Sequence, residues 1–163
     1  MSEMILAVSV RQPWANLIAS GRKTIETRSW KTTYRGKLLI VSSLRPAIFP
    51  AGYAVAVCRL TGCRQMTRED ELRACCQFDV ELFSWLLDDV FAIRPFKVHG
   101  RLGLYPVEGA DGQLTRVETS AVQTELPLIE WFASAGKSPA ACSTAKRATA
   151  GQWRNHEKSN ECN

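Results

Sequence analysis

The chain has 163 residues, 45% of them apolar and 23% charged. That is room for one domain of ordinary size with a real core, and it argues against wholesale disorder. The longest apolar runs, such as Leu38 to Val41 and Tyr53 to Cys58, are strand-length and far too short to span a bilayer, so no membrane association is expected. The N-terminal stretch has neither a basic region nor a small-residue cleavage site, which predicts a cytoplasmic protein without a secretory signal.

In chain order, Ile5 to Val10 is β-branched and apolar and reads as a strand. Gln12-Pro13 opens a short helix, since proline suits a first turn where its missing N–H is not needed. Trp14, Leu17 and Ile18 share one face of that helix, and Gly21 supplies a left-handed cap. A second strand is predicted from about Thr24 to Trp30, and a turn at Tyr34-Arg35-Gly36. Lys37 to Ser43 is a third strand, apolar enough to be buried on both faces. After a Pro/Gly-containing loop from Arg45 to Gly52, Tyr53 to Thr61 is a fourth strand. Thr67-Arg68-Glu69-Asp70 has the pattern of a helix start, predicting a helix over 69–77. Phe83 to Val90 reads as a strand, with Arg94-Pro95 and Gly100 as breakers behind it, and Leu102 to Val107 as a last strand. Short strands with two or three interposed helices predict an α+β fold, a small, mostly antiparallel and partly closed β-barrel.

The character changes near Gly109. Residues 109–136 read as a short extension with one amphipathic helix at about 124–135 (Leu126, Leu128, Ile129, Trp131, Phe132). Residues 137–163 are Ser, Ala, Lys, Thr and Asn with Trp153 the one large apolar side chain, and they read as a flexible polar tail.

The net charge of +5 is unevenly placed. Residues 1–45 hold eight Lys or Arg against two acids, Glu3 and Glu26, while the rest of the chain is close to neutral. Such concentration points to an anionic partner, phosphate being the commonest, against the alternative of a basic face that is merely solvated. The cysteines at 58, 63, 75, 76, 142 and 162 lack metal-ligand spacing, and His99 and His156 lie far from them in sequence. They read as reduced thiols, with no metal and no cofactor expected.

Lys23, Glu26 and Arg28 are the residues with chemical promise. In a strand Glu26 and Arg28 share a face, whereas Lys23 sits at the helix-to-strand junction and can turn either way. Clustered on one wall they would hold mutual ion pairs and offer donors to a phosphate or a base edge. On bare spacing they read equally as a surface ion-pair trio.

Gln12-Pro13-Trp14, then Gly21-x-Lys23-x-x-Glu26-x-Arg28-Ser29-Trp30, then Tyr34-Arg35-Gly36, resemble the ASCH family (activating signal cointegrator homology). The similarity continues through the strand ending at Ser42-Ser43, Ser84 to Val90 and His99 to Leu104, and covers about residues 4–107. It implies a β-barrel similar to the PUA domain over residues 1–108, and a basic cleft beside the first helix that binds RNA or DNA, or a modified nucleoside. Lys23, Glu26 and Arg28 would line that cleft. Gln12, Arg35, Ser42 and Ser43 would join them, with Trp14 or Trp30 stacking on a base. Trp14 reads equally as a core residue and Trp85 as core. The leading expectation is RNA binding. The alternative is an amidohydrolase acting on N4-acylated cytidine, or another nucleoside or RNA hydrolase, with Lys23 and Glu26 catalytic. Such enzymes look as though they need a threonine where this chain has Glu26, and Glu26 would stabilise the Lys23 ammonium and oppose its use as a base. A protein-interaction role in transcriptional coregulation is the third reading.

Deleting residues 137–163 is expected to leave the cooperative thermal transition in place; an unfolded product would refute the reading of that segment as an appendage.

Overall fold

The computed structural model describes residues 4–117. The amphipathic segment at 124–135 and the polar stretch 137–163 lie outside the described residues. Six strands form one mixed sheet: β1 (Ile5–Val10), β2 (Ile25–Arg28), β3 (Gly36–Ser42), β4 (Tyr53–Gln65), β5 (Phe83–Lys97) and β6 (Leu104–Val107), in the order β2-β5-β4-β3-β1-β6. All pairings are antiparallel except that of β1 with β3. Helix α1 (Trp14–Ala19) packs across β3, β4 and β5. A 3-10 turn (Arg68–Asp70) runs into α2 (Glu71–Ala74). The expected α+β, strand-rich architecture is the one observed.

Two differences from the sequence reading have physical causes. The strands β4 and β5 are longer than expected, because the ladder continues through polar Thr61 to Gln65 and past Arg94-Pro95. Three register shifts absorb the mismatch, and Pro95 falls in one of them, where it need not donate to the ladder. Helix α2 is shorter than the predicted 69–77, because Cys75 adopts a left-handed conformation (φ 52°) that ends it.

The sheet is not closed into a barrel by backbone pairing, since β2 and β6 are its two edges. Bending at the shifts leaves one apolar cluster against α1 and a second on the opposite face. Leu38 and Ile40 enter the first, Leu39 and Val41 the second, so β3 is buried on both faces. Residues 110–117 cover the second cluster: Ala110 and Leu114 pack into it, and Arg94 N–H donates to Thr115 O while Val117 N–H donates to Ala92 O.

A buried carboxylate fixes the segment that carries α2. Asp70 accepts two hydrogen bonds from Arg64 (2.7 and 2.6 Å), one from Ser84 Oγ (2.8 Å) and one from Thr67 N–H (3.0 Å). Burial alone would raise its pKa, but these donors and the Arg64 charge outweigh burial and hold the carboxyl at about 2. A folded pKa below the unfolded one contributes stability above the unfolded value, lost as pH falls through the folded one. Between about pH 4 and pH 2 the protein is expected to lose roughly 1–2 kcal/mol through this group, a loss absent in Asp70→Asn. Superimposable pH–stability profiles for the two proteins would contradict it.

Candidate nucleic-acid interface

The helix–strand junction places Lys23 before β2 begins, which frees it from strand alternation. Its side chain is fully buried (0% exposed) and reaches back to Ala74 O at the end of α2 (2.5 Å). That carbonyl is one of those a short helix leaves without an intrahelical partner. Lys23 Nζ lies 3.4 Å from Glu26 Oε2, and Arg28 Nη2 lies 3.1 Å from Glu26 Oε1. Glu26 is itself 1% exposed, and within the described residues neither of its oxygens accepts a hydrogen bond of good geometry. The predicted trio is therefore brought together, as a buried chain of alternating charge rather than a surface one. Its field reaches further: burial, and then the Glu26 charge, push the Cys58 thiol up to about 12.

Arg28 carries the chain across the opening of the sheet. Its Nη2 donates to Ser9 O in β1 at 2.6 Å. β2 is one edge of the sheet, and β1 is next to the other edge. The gap that backbone pairing leaves open is thus spanned by a guanidinium. On the other side of Ser9, its Oγ lies 3.1 Å from Tyr105 Oη and donates to Arg101 O (3.3 Å). Burial raises the Tyr105 pKa, while the Ser9 hydrogen bond and the nearby Arg101 and Arg28 charges pull it back.

A pocket of about 260 Å³ lies at this pole, lined by Ser9, Ser42, Ser43, Leu44, Gly52, Gly100, Arg101 and Leu102. It sits where the parallel strands β1 and β3 both end, a place where loops leave the sheet in two directions. A Cβ at Gly100 would stand 3.0 Å from Ser9 Oγ, so a larger residue there would push the serine aside by a few tenths of an ångström. None of the lining residues is acidic. The pole also carries exposed Arg11 after β1, Arg45 after β3 and Lys97 at the end of β5.

The other predicted residues divide. Gln12 (1% exposed) donates to Ser42 Oγ (3.0 Å) and Asn16 Oδ1 (2.9 Å), so it fixes the wall that Ser42 supplies. Ser43 lines the pocket and its N–H donates to Val10 O. Trp14 lies in the core with its Nε1 donating to Cys75 O, outside the pocket lining. Trp30 is half-buried and meets Trp85 edge-on, with centroids 4.6 Å apart at 89°. Arg35 is at the other end of β3, roughly 20 Å of strand away, with its guanidinium turned onto Thr32 O and Tyr34 O. Ser9, Arg101 and Tyr105 are not among the site residues expected from sequence, although Arg101 lies in the stretch His99 to Leu104 that carries the family resemblance. Ser9 takes Arg28 through its backbone carbonyl and meets Arg101 and Tyr105, some ninety residues away, through its hydroxyl, so spacing along the chain does not group them.

Among the described residues no three His, Cys, Asp or Glu side chains converge as a metal site, and no helix is long and apolar enough to cross a membrane. Cys58, Cys63, Cys75 and Cys76 are thiols rather than disulfides.

The chain belongs to the ASCH domain family, whose model matches residues 8–125. It is similar to activating signal cointegrator 1 of Homo sapiens (47% identical over 38 residues) and of Mus musculus (47% over 36 residues). These matches cover 23% and 22% of this chain and only 6% of each relative. In fold it resembles the crystal structure of ASCH from Zymomonas mobilis, with a TM-score of 0.53 and 16% identity over 66% of this chain and 90% of that one. A point mutant of the same bacterial protein aligns with a TM-score of 0.50 at 16% identity, over 66% of this chain and 93% of its own.

Removing the central charge is expected to cost far more than removing an exposed one. Glu26→Gln leaves two cations without their counter-ion and should destabilise by about 3 kcal/mol. Asp89→Asn, in the exposed Arg59–Asp89 pair, should cost less than about 0.5 kcal/mol. Equal losses in denaturant titrations would contradict the burial argument.

Proposed function

We propose that this ASCH domain binds single-stranded RNA and seats one nucleotide in the pocket at the ends of β1 and β3. The observation that carries the reading is Arg101 in the wall of a pocket otherwise lined by serines, glycines and two leucines, with no acid, and exposed Arg11, Arg45 and Lys97 on the chain segments next to it. Phosphate oxygens need donors and positive charge, and arginine supplies both in a planar fork. Arg101 would take a phosphate directly. Arg28, tethered through Ser9, adds charge from beneath without needing to move. Ser43, which is partly exposed, offers its hydroxyl to the sugar or the base edge, while the buried Ser42, taking a hydrogen bond from Gln12, holds the wall behind it.

On this reading Lys23 and Glu26 position Arg28 and do not touch the ligand. Glu26 balances two cations in a site too dry for either to stand alone. Hydrolysis of N4-acylated cytidine is the weaker alternative. Ala74 O and Glu26 both stabilise the Lys23 ammonium, the form that cannot act as a base.

Binding of a short RNA should fall with rising salt, and the log–log slope should drop in magnitude by about 0.7 in Arg101→Ala, with the thermal midpoint unchanged. Arg101 is exposed and its side chain holds no element in place, so stability and binding separate cleanly there. Salt-insensitive binding, or conversion of N4-acetylcytidine to cytidine, would contradict the proposal.

A further inference from the structure

We infer that Phe49 is the base-stacking residue of this domain, on an apolar shelf beside the pocket; the inference rests on the RNA-binding reading above and deepens it. Among the described residues Phe49 is the one aromatic side chain in the exposed class, at 76%. The tryptophans among the described residues are otherwise engaged: Trp14 and Trp85 are in the core, and Trp30 is packed edge-on against Trp85. A base needs an aromatic face that is free, and Phe49 offers one.

Its location is set by a short, pinned loop. The segment from Ser43 to Gly52 leaves the pocket and returns to it, since Ser43, Leu44 and Gly52 all line the cavity. Gly52 N–H donates to Ser42 O (2.8 Å), Ile48 N–H to Pro46 O (2.8 Å) and Tyr53 N–H to Pro50 O (3.1 Å). Phe49 meets the Tyr53 ring in a tilted contact, with centroids 6.3 Å apart at 49°. Leu44 (65% exposed) and Leu102 (98%) extend the apolar surface along the cavity. Three of the six exposed large apolar side chains among the described residues, Leu44, Phe49 and Leu102, thus lie on the two loops at this pole.

The charge around the shelf selects its occupant. The loops 43–52 and 99–104 carry Arg45, Arg101 and His99 and no acidic residue, and Lys97 lies beside them. Apolar faces interleaved with arginines fit single-stranded nucleic acid, whose bases stack while its phosphates pair. Stacking of this kind tolerates any base, since each has a π-face.

The test compares a short unstructured RNA with an abasic oligomer of equal length and charge, each titrated against the full chain by fluorescence anisotropy. Phe49→Ala is expected to weaken RNA binding about tenfold, to leave the abasic affinity and the salt slope unchanged, and to leave the thermal midpoint unchanged. Phe49→Trp should restore or exceed the original affinity. If RNA binds with a steep salt slope and Phe49→Ala has no effect, or weakens both oligomers equally, the shelf is not a stacking site although the binding reading stands. If the wild-type chain binds neither oligomer, both fall. Self-association that is abolished by Phe49→Ala with RNA binding intact would assign the shelf to a second copy of the chain and overturn the inference.

Discussion

The Arg28 guanidinium is the joint on which the site depends. The sheet curls but does not close by backbone pairing, and the Arg28 side chain crosses from β2 to the Ser9 carbonyl of β1. An arginine is suited to this role because it stays charged, reaches far and donates in several directions. A charged group so little exposed needs compensation, and Glu26 provides it at 3.1 Å. Glu26 in turn is balanced on its other side by Lys23, which is fastened to the end of α2. Each member is tolerable in the interior only because of the next, so the group behaves as a unit.

That unit ties the pocket to elements distant from it. Asp70 holds the turn before α2, α2 presents Ala74 O, Ala74 O holds Lys23, and the chain ends at Ser9 on the pocket wall. A second, shorter chain runs from Asn16 through Gln12 to Ser42 on the opposite wall. The walls are therefore set by buried polar contacts, while the contacts available to a ligand are exposed cations and apolar faces on loops. This division suits binding: the rigid part is made once on folding, and the mobile side chains are left for the partner.

Much of this was legible in the sequence, for reasons that differ by element. β1 and β3 announce themselves because their β-branched runs have no competing helical period. α1 is bounded by Pro13 and by Gly21, which takes a positive φ as its position demands. The lengths of β4 and β5 were hidden, since polar residues and Arg94-Pro95 look like terminators unless the bulges that absorb them are known. Lys23, Glu26 and Arg28 could be grouped from their motif, but not their burial, which depends on α2 arriving from fifty residues away. Trp14 illustrates the opposite case: helical spacing with Leu17 and Ile18 already offered a core reading, and the core is where it lies. Phe49 has no sequence signature, because a loop between Pro46 and Pro50 carries no periodic signal.

The most direct test of the account is to map the ligand onto the surface by following backbone amide resonances during titration with a short single-stranded RNA. Perturbations are expected to concentrate at Ser9 to Arg11, Ser43 to Gly52 and Lys97 to Leu104, with little change around Thr32 to Gly36 at the other end of β3. Perturbations centred on that opposite end, or none at saturating RNA, would contradict it.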